Sequence, residues 1–376
     1  MPEPRTNIFM AFIMQEMDIL CNMNLTMNGV YLPGNSTTET KNLPVPKPGH
    51  GQVLVKTKSC TICGSDIRAI YREHTGKGAE GYQNVIAGHE PCGEVVEEGP
   101  GVRRFKKGSR VIVYHISGCG VCHDCRMGYM ISCSSPHRAA YGWQRDGGMA
   151  DYILCDEKDL VNLPESLSYT DGAQVACGFG TVYEAIMKMG VCGNDDVLVT
   201  GLGPVGLAAA MLCRAMGANK IYGIEANQFR IDLAKNLGLF DKVLAAADSN
   251  VEEVKSLTGG MGVERAIDAS AADSARQCAI RATRQWGKIA LVGEGGTLNF
   301  NPSPDIIHDQ KTIYGSWVTS IWLMEDLVER LVRWNIKPDT LVTHRFPLSK
   351  ADEAFKLMDK GDCGKVAVCF DEELRS

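Results

Sequence analysis

Asp196-Val-Leu-Val-Thr200-Gly201-Leu-Gly203-Pro204-Val205-Gly206 is the stretch whose reading decides the fold. An apolar run, Val197–Thr200, runs straight into three glycines spaced G-x-G-x-x-G, and the Ala- and Leu-rich segment Leu207–Met216 follows as a helix. Strand, glycine turn and helix in that order distinguish a dinucleotide-binding fingerprint from a chance match. Gly201 permits the turn, Gly203 lets the backbone approach a pyrophosphate, and Gly206 lets helix and strand pack closely, with Pro204 and Val205 between them. The N-terminus of the helix then faces the anion.

Working outward, Lys220–Glu225, Lys242–Ala246, Glu264–Ala269, Lys288–Gly293 and Thr312–Trp317 are further short apolar runs, most of them separated by helical stretches such as Phe229–Leu237 and Ser274–Thr283. Six such strands joined mainly by crossovers describe a doubly wound parallel sheet. Nineteen residues past Gly206, Glu225 ends the second strand, where a carboxylate accepts from a ribose 2′-hydroxyl and repels a 2′-phosphate. NAD is therefore favoured over NADP. Arg230 is a further candidate cofactor contact that would suit a phosphate, although a helix-surface cation has a blander explanation.

Before this region the grammar is different. Gln52–Thr57, Cys92–Glu97, Ser109–Tyr114 and Ala150–Leu154 are short β runs punctuated by Pro and Gly, which describes a barrel-like β domain. After it come the amphipathic helix Leu323–Trp334, the helix Ala351–Met358 and a terminal strand, Gly364–Phe370, positioned to return to the first domain. The expected organisation is an extension over 1–26, a β domain over 27–184, a cofactor domain over 185–318 and a return to the β domain over 319–376. The extension is Met-rich, with Arg5 as its one cation and no small-residue cleavage site, and reads as disordered or loosely docked rather than as a targeting peptide.

Composition narrows the function. The chain has 376 residues, a net charge of −6 and no basic run, which argues against a nucleic-acid surface. No apolar stretch reaches the roughly 18 residues of a membrane span. Fifteen cysteines without a cleavable signal point to a reducing, cytoplasmic setting. Six of them are candidate metal ligands, and the other nine are expected to be small buried hydrophobes.

Cys119-Gly-Val-Cys122-His-Asp-Cys125, closed by Cys133, has the spacing C-x2-C-x2-C-x7-C. Four thiolates so spaced can converge on one structural zinc, at about 2.3 Å each. Such a closed site does no chemistry. A second set is dispersed: Cys63-Gly-Ser65-Asp66, Gly88-His89-Glu90 and Cys177-Gly-Phe-Gly-Thr181. Cys63, His89 and Cys177 would give a zinc three ligands and an open fourth position, but spacing alone does not establish the set. Cys60, which with Cys63 imitates a C-x-x-C motif, is expected to be core packing.

These motifs, in this order from about Met27 to Phe370, resemble the zinc-containing medium-chain dehydrogenase/reductase family, the alcohol and polyol dehydrogenases. The resemblance implies a GroES-like β-barrel catalytic domain, discontinuous in sequence, around a Rossmann cofactor domain. It implies two zinc ions per subunit, with Cys63, His89 and Cys177 on the catalytic one and Glu90 able to approach it when ligands exchange. Asp66 would orient His89, Ser65 would pass the substrate proton onward, Thr181 would lie against the nicotinamide, and Val292 would complete the cofactor contacts. The implied reaction is hydride transfer between a secondary alcohol of a small polyol or sugar-like compound and NAD, with zinc acidifying the hydroxyl. A reductase of aldehydes or ketones using NADPH is the alternative, and a silent binding relative a weaker one.

Two departures qualify the resemblance. Arg68 stands where many relatives carry a proton-relay histidine, and an arginine stays protonated. The third metal position is Cys177, where sorbitol- and threonine-type relatives usually carry glutamate near by. His115, four residues before Cys119, falls near a position that often lines the substrate cleft and would suit a polar substrate, with a surface or strand-end histidine as the bland reading. Thr312–Val318 is an apolar sheet edge that pairing across a two-fold axis would cover, so a homodimer or homotetramer is expected.

Overall fold

Asp196–Thr200 pairs in parallel with Lys220–Glu225 on one side and with Val263–Asp268 on the other. Lys242–Ala245 extends the first side, and Thr283–Leu291 followed by Thr312–Gly315 extends the second. Taken in chain order, these six strands lie 3-2-1-4-5-6. That is the doubly wound order, and its crevice opens beyond the carboxyl ends of the first and fourth strands. Val197, Leu198 and Val199 are fully buried between the helical layers. Each such side chain contributes about 1.5–3 kcal/mol relative to exposure, which accounts for the unbroken apolar run.

The chain is described here by a computed structural model, which covers residues 25–370 and Glu373. The extension expected over residues 1–26 lies outside the described residues except for Leu25 and Thr26. Thr26 already opens a hairpin, Thr26–Gly34 with Thr37–Pro44. Its turn residues Asn35 and Ser36 both have positive φ, 54° and 56°, the requirement of the tight hairpin turn whose twist matches its strands.

The second large sheet has seven strands. Gln52–Thr61 is its centre and pairs antiparallel with Pro91–Glu98, Tyr152–Asp156 and Lys365–Cys369. The last of these comes after the whole parallel sheet in sequence, yet it sets Ala367 opposite Thr61 and Val368 opposite Cys60. Arg110–Val113 and Leu160–Asn162 continue one flank, and Val342–Pro347 closes the other.

Several elements differ from expectation. The strand expected at Ala150–Leu154 starts two residues later, at Tyr152, because Ala150 makes only an isolated bridge to Gly29. The strand expected to reach Trp317 stops at Gly315, since Val318 has φ 62°, a left-handed conformation that a β-branched residue rarely adopts and that no strand continues through. Three consecutive helical segments, Tyr169–Gln174, Val175–Phe179 and Gly180–Met189, and the helix Asn250–Leu257 were not anticipated. The small, fully buried residues around Cys177 show no helical period to read. Among the nine remaining cysteines, Cys21 lies outside the described residues and Cys192 is exposed in the turn before Asp196, so burial is not general. Cys60 is fully buried.

Candidate active site

The glycine loop is built as the fingerprint requires. Gly201 has φ 85°, and a Cβ there would stand 2.7 Å from Ser270. A Cβ on Gly206 would fall 1.9 Å from the Gly201 carbonyl oxygen, so only glycine lets the helix Pro204–Ala215 pack this close to its strand. Gly203 precedes that helix in extended conformation, and Pro204 occupies its first turn, where no amide is missed. Glu225 is 8% exposed, and its carboxylate accepts from Leu202 N (2.7 Å), Ala226 N (2.8 Å) and Asn227 N (2.9 Å). Three of its four lone-pair positions are thus used to hold the loop, leaving one for a ligand.

Cys63, His89, Glu90 and Cys177 come from three separate elements, yet their ligand atoms all lie within 4.8 Å of one another. Cys63 precedes the turn Gly64–Asp66, whose Asp66 accepts from Cys63 N at 2.9 Å through one oxygen and bonds His89 Nδ1 at 2.8 Å through the other. One buried carboxylate therefore orients two of the candidate ligands. A histidine held at Nδ1 by a carboxylate presents Nε2, the arrangement that raises ligand basicity at a metal. Cys177 sits in a π-helical turn, Val175–Phe179, a distortion often found at functional sites. The hydrogen bond from Cys177 pulls the Cys63 thiol well below its ordinary pKa, against the opposing effect of burial. Burial pushes Glu90 up to about 7 against the pull of Lys365.

Lys365 was not anticipated. It is buried and ion-paired with Glu90 Oε2, which also accepts from Thr61 Oγ1. Glu90 Oε1 is buried and has no hydrogen-bond partner among the described residues. An orphaned carboxylate oxygen beside two thiols and an imidazole fits a cationic ligand, and the donor set suits zinc.

Cys63, Ser65, His89, Cys177, Thr181, Gly203, Pro204, Val205, Arg230 and Val292 all line one cleft of about 490 Å³. Glu90, Gly201, Gly206 and Glu225 do not line it. The bland reading of Arg230 as a helix-surface cation fails. Its guanidinium points back over the loop, 3.5 Å from where a Cβ on Gly203 would be, and its Nε is buried with no partner among the described residues. Arg68 also lines the cleft. Val318, strained at φ 62°, faces it too, although nothing in its residue type announces this.

His115 is 5% exposed and bonds the Ala176 carbonyl through Nδ1 at 2.8 Å, with its ring centroid 5.2 Å from that of His89. Burial, then repulsion from His89, pushes it down to about 3. The outer wall of the cleft carries Arg138, bonded to both Glu80 oxygens at 2.5 and 2.6 Å.

The other cysteines form a lobe. The sulfurs of Cys119, Cys122, Cys125 and Cys133 lie within 4.8 Å of one another. Backbone amides point at them: Cys122 N to Cys119 Sγ (3.3 Å), Cys119 N to Cys133 Sγ (3.3 Å) and Cys125 N to Cys122 Sγ (3.5 Å). Amides of Val121 and Cys122 bring the Cys119 thiol down to about 6. Amide donors at Cys119, Cys122 and Cys133 favour thiolates, although burial pushes the Cys125 thiol up to about 12, and four sulfurs this close together fit a tetrahedral metal. The lobe docks where Gly128 O accepts from Ile321 N at 3.0 Å and Tyr129 bonds buried Glu184 at 3.2 Å.

Comparison with known proteins agrees with this geometry. The family described as alcohol dehydrogenase GroES-like domain matches residues 49–165, and the zinc-binding dehydrogenase family matches 204–334. An uncharacterised zinc-type alcohol dehydrogenase-like protein of Escherichia coli K12, YphC, is 48% identical over 350 residues, covering 92% of this chain and 99% of that protein. The chain belongs to the zinc-containing medium-chain dehydrogenase/reductase family. As a member it is an oxidoreductase acting on alcohols, with a GroES-like domain and a Rossmann sheet. An L-threonine 3-dehydrogenase of Pyrococcus horikoshii is 32% identical over 87% of this chain and 94% of its own length. The crystal structure of 2R,3R-butanediol dehydrogenase from Bacillus subtilis superposes with a TM-score of 0.80 at 26% identity, covering 92% of this chain and all of that one. Within this medium-chain dehydrogenase, no helix among the described residues is long and apolar enough to cross a membrane.

Proposed function

We propose that this protein is a zinc- and NAD-dependent alcohol dehydrogenase that oxidises a secondary alcohol of a small polyol or sugar-like compound, in the cytoplasm and as a homodimer or homotetramer. One observation carries the reading: the candidate ligands Cys63, His89 and Cys177 and the dinucleotide loop open into one cleft. The proposed catalytic domain comprises 27–184 and 319–376 around a cofactor domain over 185–318, a division supported by the pairing of Lys365–Cys369 with Gln52–Thr61.

When bound, zinc supplies Lewis acidity toward a hydroxyl and NAD accepts hydride. Asp66 holds His89 by Nδ1 and leaves Nε2 for the ion, to which Cys63 and Cys177 would supply negative charge as thiolates. Ser65 Oγ, on the cleft wall, takes the hydroxyl proton toward solvent, because Arg68 has no proton acceptor to offer. Thr181, Val292 and the loop Gly203–Val205 position the cofactor, and Ile116, Ile131 and Val318 exclude water around the reacting carbon. The four-cysteine lobe would hold a second, structural zinc.

A second reading rests on Arg230. Its unpartnered Nε in the cofactor end of the cleft would suit a 2′-phosphate, and with it NADPH and carbonyl reduction. The deciding experiment follows nicotinamide reduction with NAD and with NADP across simple alcohols, short polyols, inositols and threonine, with and without a zinc chelator. Chelator-sensitive reduction of NAD by a polyol is expected. A preference for NADP would favour the reductase, and zinc-loaded protein silent with every alcohol and both cofactors would overturn the proposal.

A further inference from the structure

Arg276, in the helix Asp273–Arg281, is a buried cation with no part in the chemistry above. Every nitrogen of its guanidinium is engaged. Nε donates to Asp268 Oδ2 at 3.1 Å, Nη1 to the Thr297 carbonyl at 3.1 Å and Nη2 to the Gly293 carbonyl at 2.6 Å. Asp268 is fully buried, and its carboxylate also accepts from Thr200 Oγ1 (3.0 Å), Ser270 N (3.1 Å), Ser270 Oγ (2.6 Å) and Ala271 N (3.2 Å). Its backbone carbonyl takes the amides of Val292 and Gly293, each at 2.9 Å. One ion pair thus joins the carboxyl ends of the first, fourth and fifth strands of the parallel sheet.

The loops so joined leave no slack. A Cβ on Gly293 would stand 2.5 Å from Ala271 N, and one on Gly296 2.0 Å from the Ala271 carbonyl oxygen. Ala271 holds φ 67°, a left-handed conformation that costs an alanine free energy. Ala269, Val292, Gly293 and Glu294 line the cleft, while Arg276 does not. This wall and Glu225 lie on opposite sides of the first strand. A dinucleotide with its adenosine ribose at Glu225 and its diphosphate at the glycine loop therefore brings its nicotinamide half to the wall.

We propose that Arg276 is a positioning residue for the nicotinamide half of the cofactor: it fixes the wall Val292–Glu294 against Ala269, and so sets how tightly that half is held. This rests on the dinucleotide reading above. A buried ion pair adds little net stability over apolar packing of the same volume. What this one supplies is direction, since its three bonds fix two loops in a single arrangement. Without the guanidinium, the carbonyls of Gly293 and Thr297 lose their donors and the Asp268 carboxylate is left buried without its cation.

The test measures binding to the full chain and needs no turnover. NADH and NADPH are compared with ADP-ribose and its 2′-phosphate, which keep the adenosine and both bridging phosphates but lack the nicotinamide. Arg276→Met should weaken the preferred dinucleotide about 10-fold or more, while the matching ADP-ribose changes less than about twofold. Arg276→Lys keeps the charge without the three directed bonds, and should recover part of the loss. In amide exchange of the ligand-free protein, Val292 and Gly293 should lose protection in Arg276→Met, while Leu202, held by Glu225, keeps it. Where Arg276→Met does not fold, the Asp268→Asn, Arg276→Met double variant removes both buried charges and carries the same expectations. Equal loss for dinucleotide and ADP-ribose, or no loss for either, overturns the assignment and leaves the cofactor reading standing. Unchanged protection at Val292 and Gly293 overturns it as well. A native protein that binds none of the four ligands fails differently, overturning the dinucleotide reading and the ligand assigned to this wall together.

Discussion

The two cysteine clusters hold the same kind of atom in opposite ways. In the lobe, four sulfurs come from positions 119 to 133, with Cys119 and Cys122 only half-buried and backbone amides as their main support. In the cleft, Cys63, His89 and Cys177 come from positions 63 to 177, and their support is a buried carboxylate, Asp66, and a buried ion pair, Glu90 with Lys365. The lobe is a local clamp whose ligands find each other through turns. The cleft is assembled by the tertiary fold, so its candidate ligand set exists only when distant strands and helices are in place. The first should matter for stability, the second for chemistry.

Cys63→Ser is the hardest test of that contrast. Turnover should fall by at least about 10³-fold, about 4 kcal/mol in the barrier, with melting little changed. Rate, metal content and thermal melting on one preparation check it, and full turnover would end the proposed Lewis-acid role. Next in size is Lys365→Met, which leaves Glu90 buried without its cation. A loss of about 3 kcal/mol by urea unfolding is expected, largely recovered in a Lys365→Met, Glu90→Gln double variant. If the single variant is as stable as the parent, the ion pair is not what supports the cleft floor. For the lobe, Cys119→Ser should cost about 2 kcal/mol and one zinc, while the rate constant of the protein that remains folded changes less than about threefold. Retention of both native melting and full zinc content would break the four-cysteine assignment.

The smallest effect concerns the lobe's foundation. Asp156 accepts from Ser117, two residues before Cys119, and from Gln52, Arg145 and Lys158. Burial opposes its ionisation, yet the Gln52 hydrogen bond and the two cations hold its pKa well below the carboxylate range. A depressed pKa contributes stability above the unfolded value of about 3.9, and that contribution is lost as pH falls through the folded value. Asp156→Asn should therefore cost about 1 kcal/mol at neutral pH, after solvent screening, and nothing extra in strong acid. Parallel pH–stability curves for the two proteins would refute this.

What could be read in the sequence follows the same division. The lobe and the glycine loop were legible because each is a short stretch in which spacing alone dictates geometry. Cys63, His89 and Cys177 were legible only through the family resemblance, since a lone cysteine or histidine usually packs in a core. Lys365 and Val318 escaped notice because nothing local marks them. One is an ordinary lysine opening a strand, and the other is a valine whose left-handed φ depends on its tertiary setting. Arg230 was legible only in part, since a place on a helix allowed a surface cation as well as a cofactor contact, and only the structure shows its side chain folded back over the loop.

Pairing of Lys365–Cys369 with Gln52–Thr61 has a consequence for how the molecule is made. A ribosome delivers Gln52–Thr61 early, then the entire Rossmann sheet, and only afterwards the strand that covers its open edge. During that interval the nascent barrel presents an unpaired edge, a hazard for association with other chains. It also holds Glu90 without Lys365, the cation that neutralises it. The Rossmann sheet, whose strands are consecutive in sequence, can fold while synthesis continues. The cleft floor is therefore completed late, when Lys365 reaches Glu90.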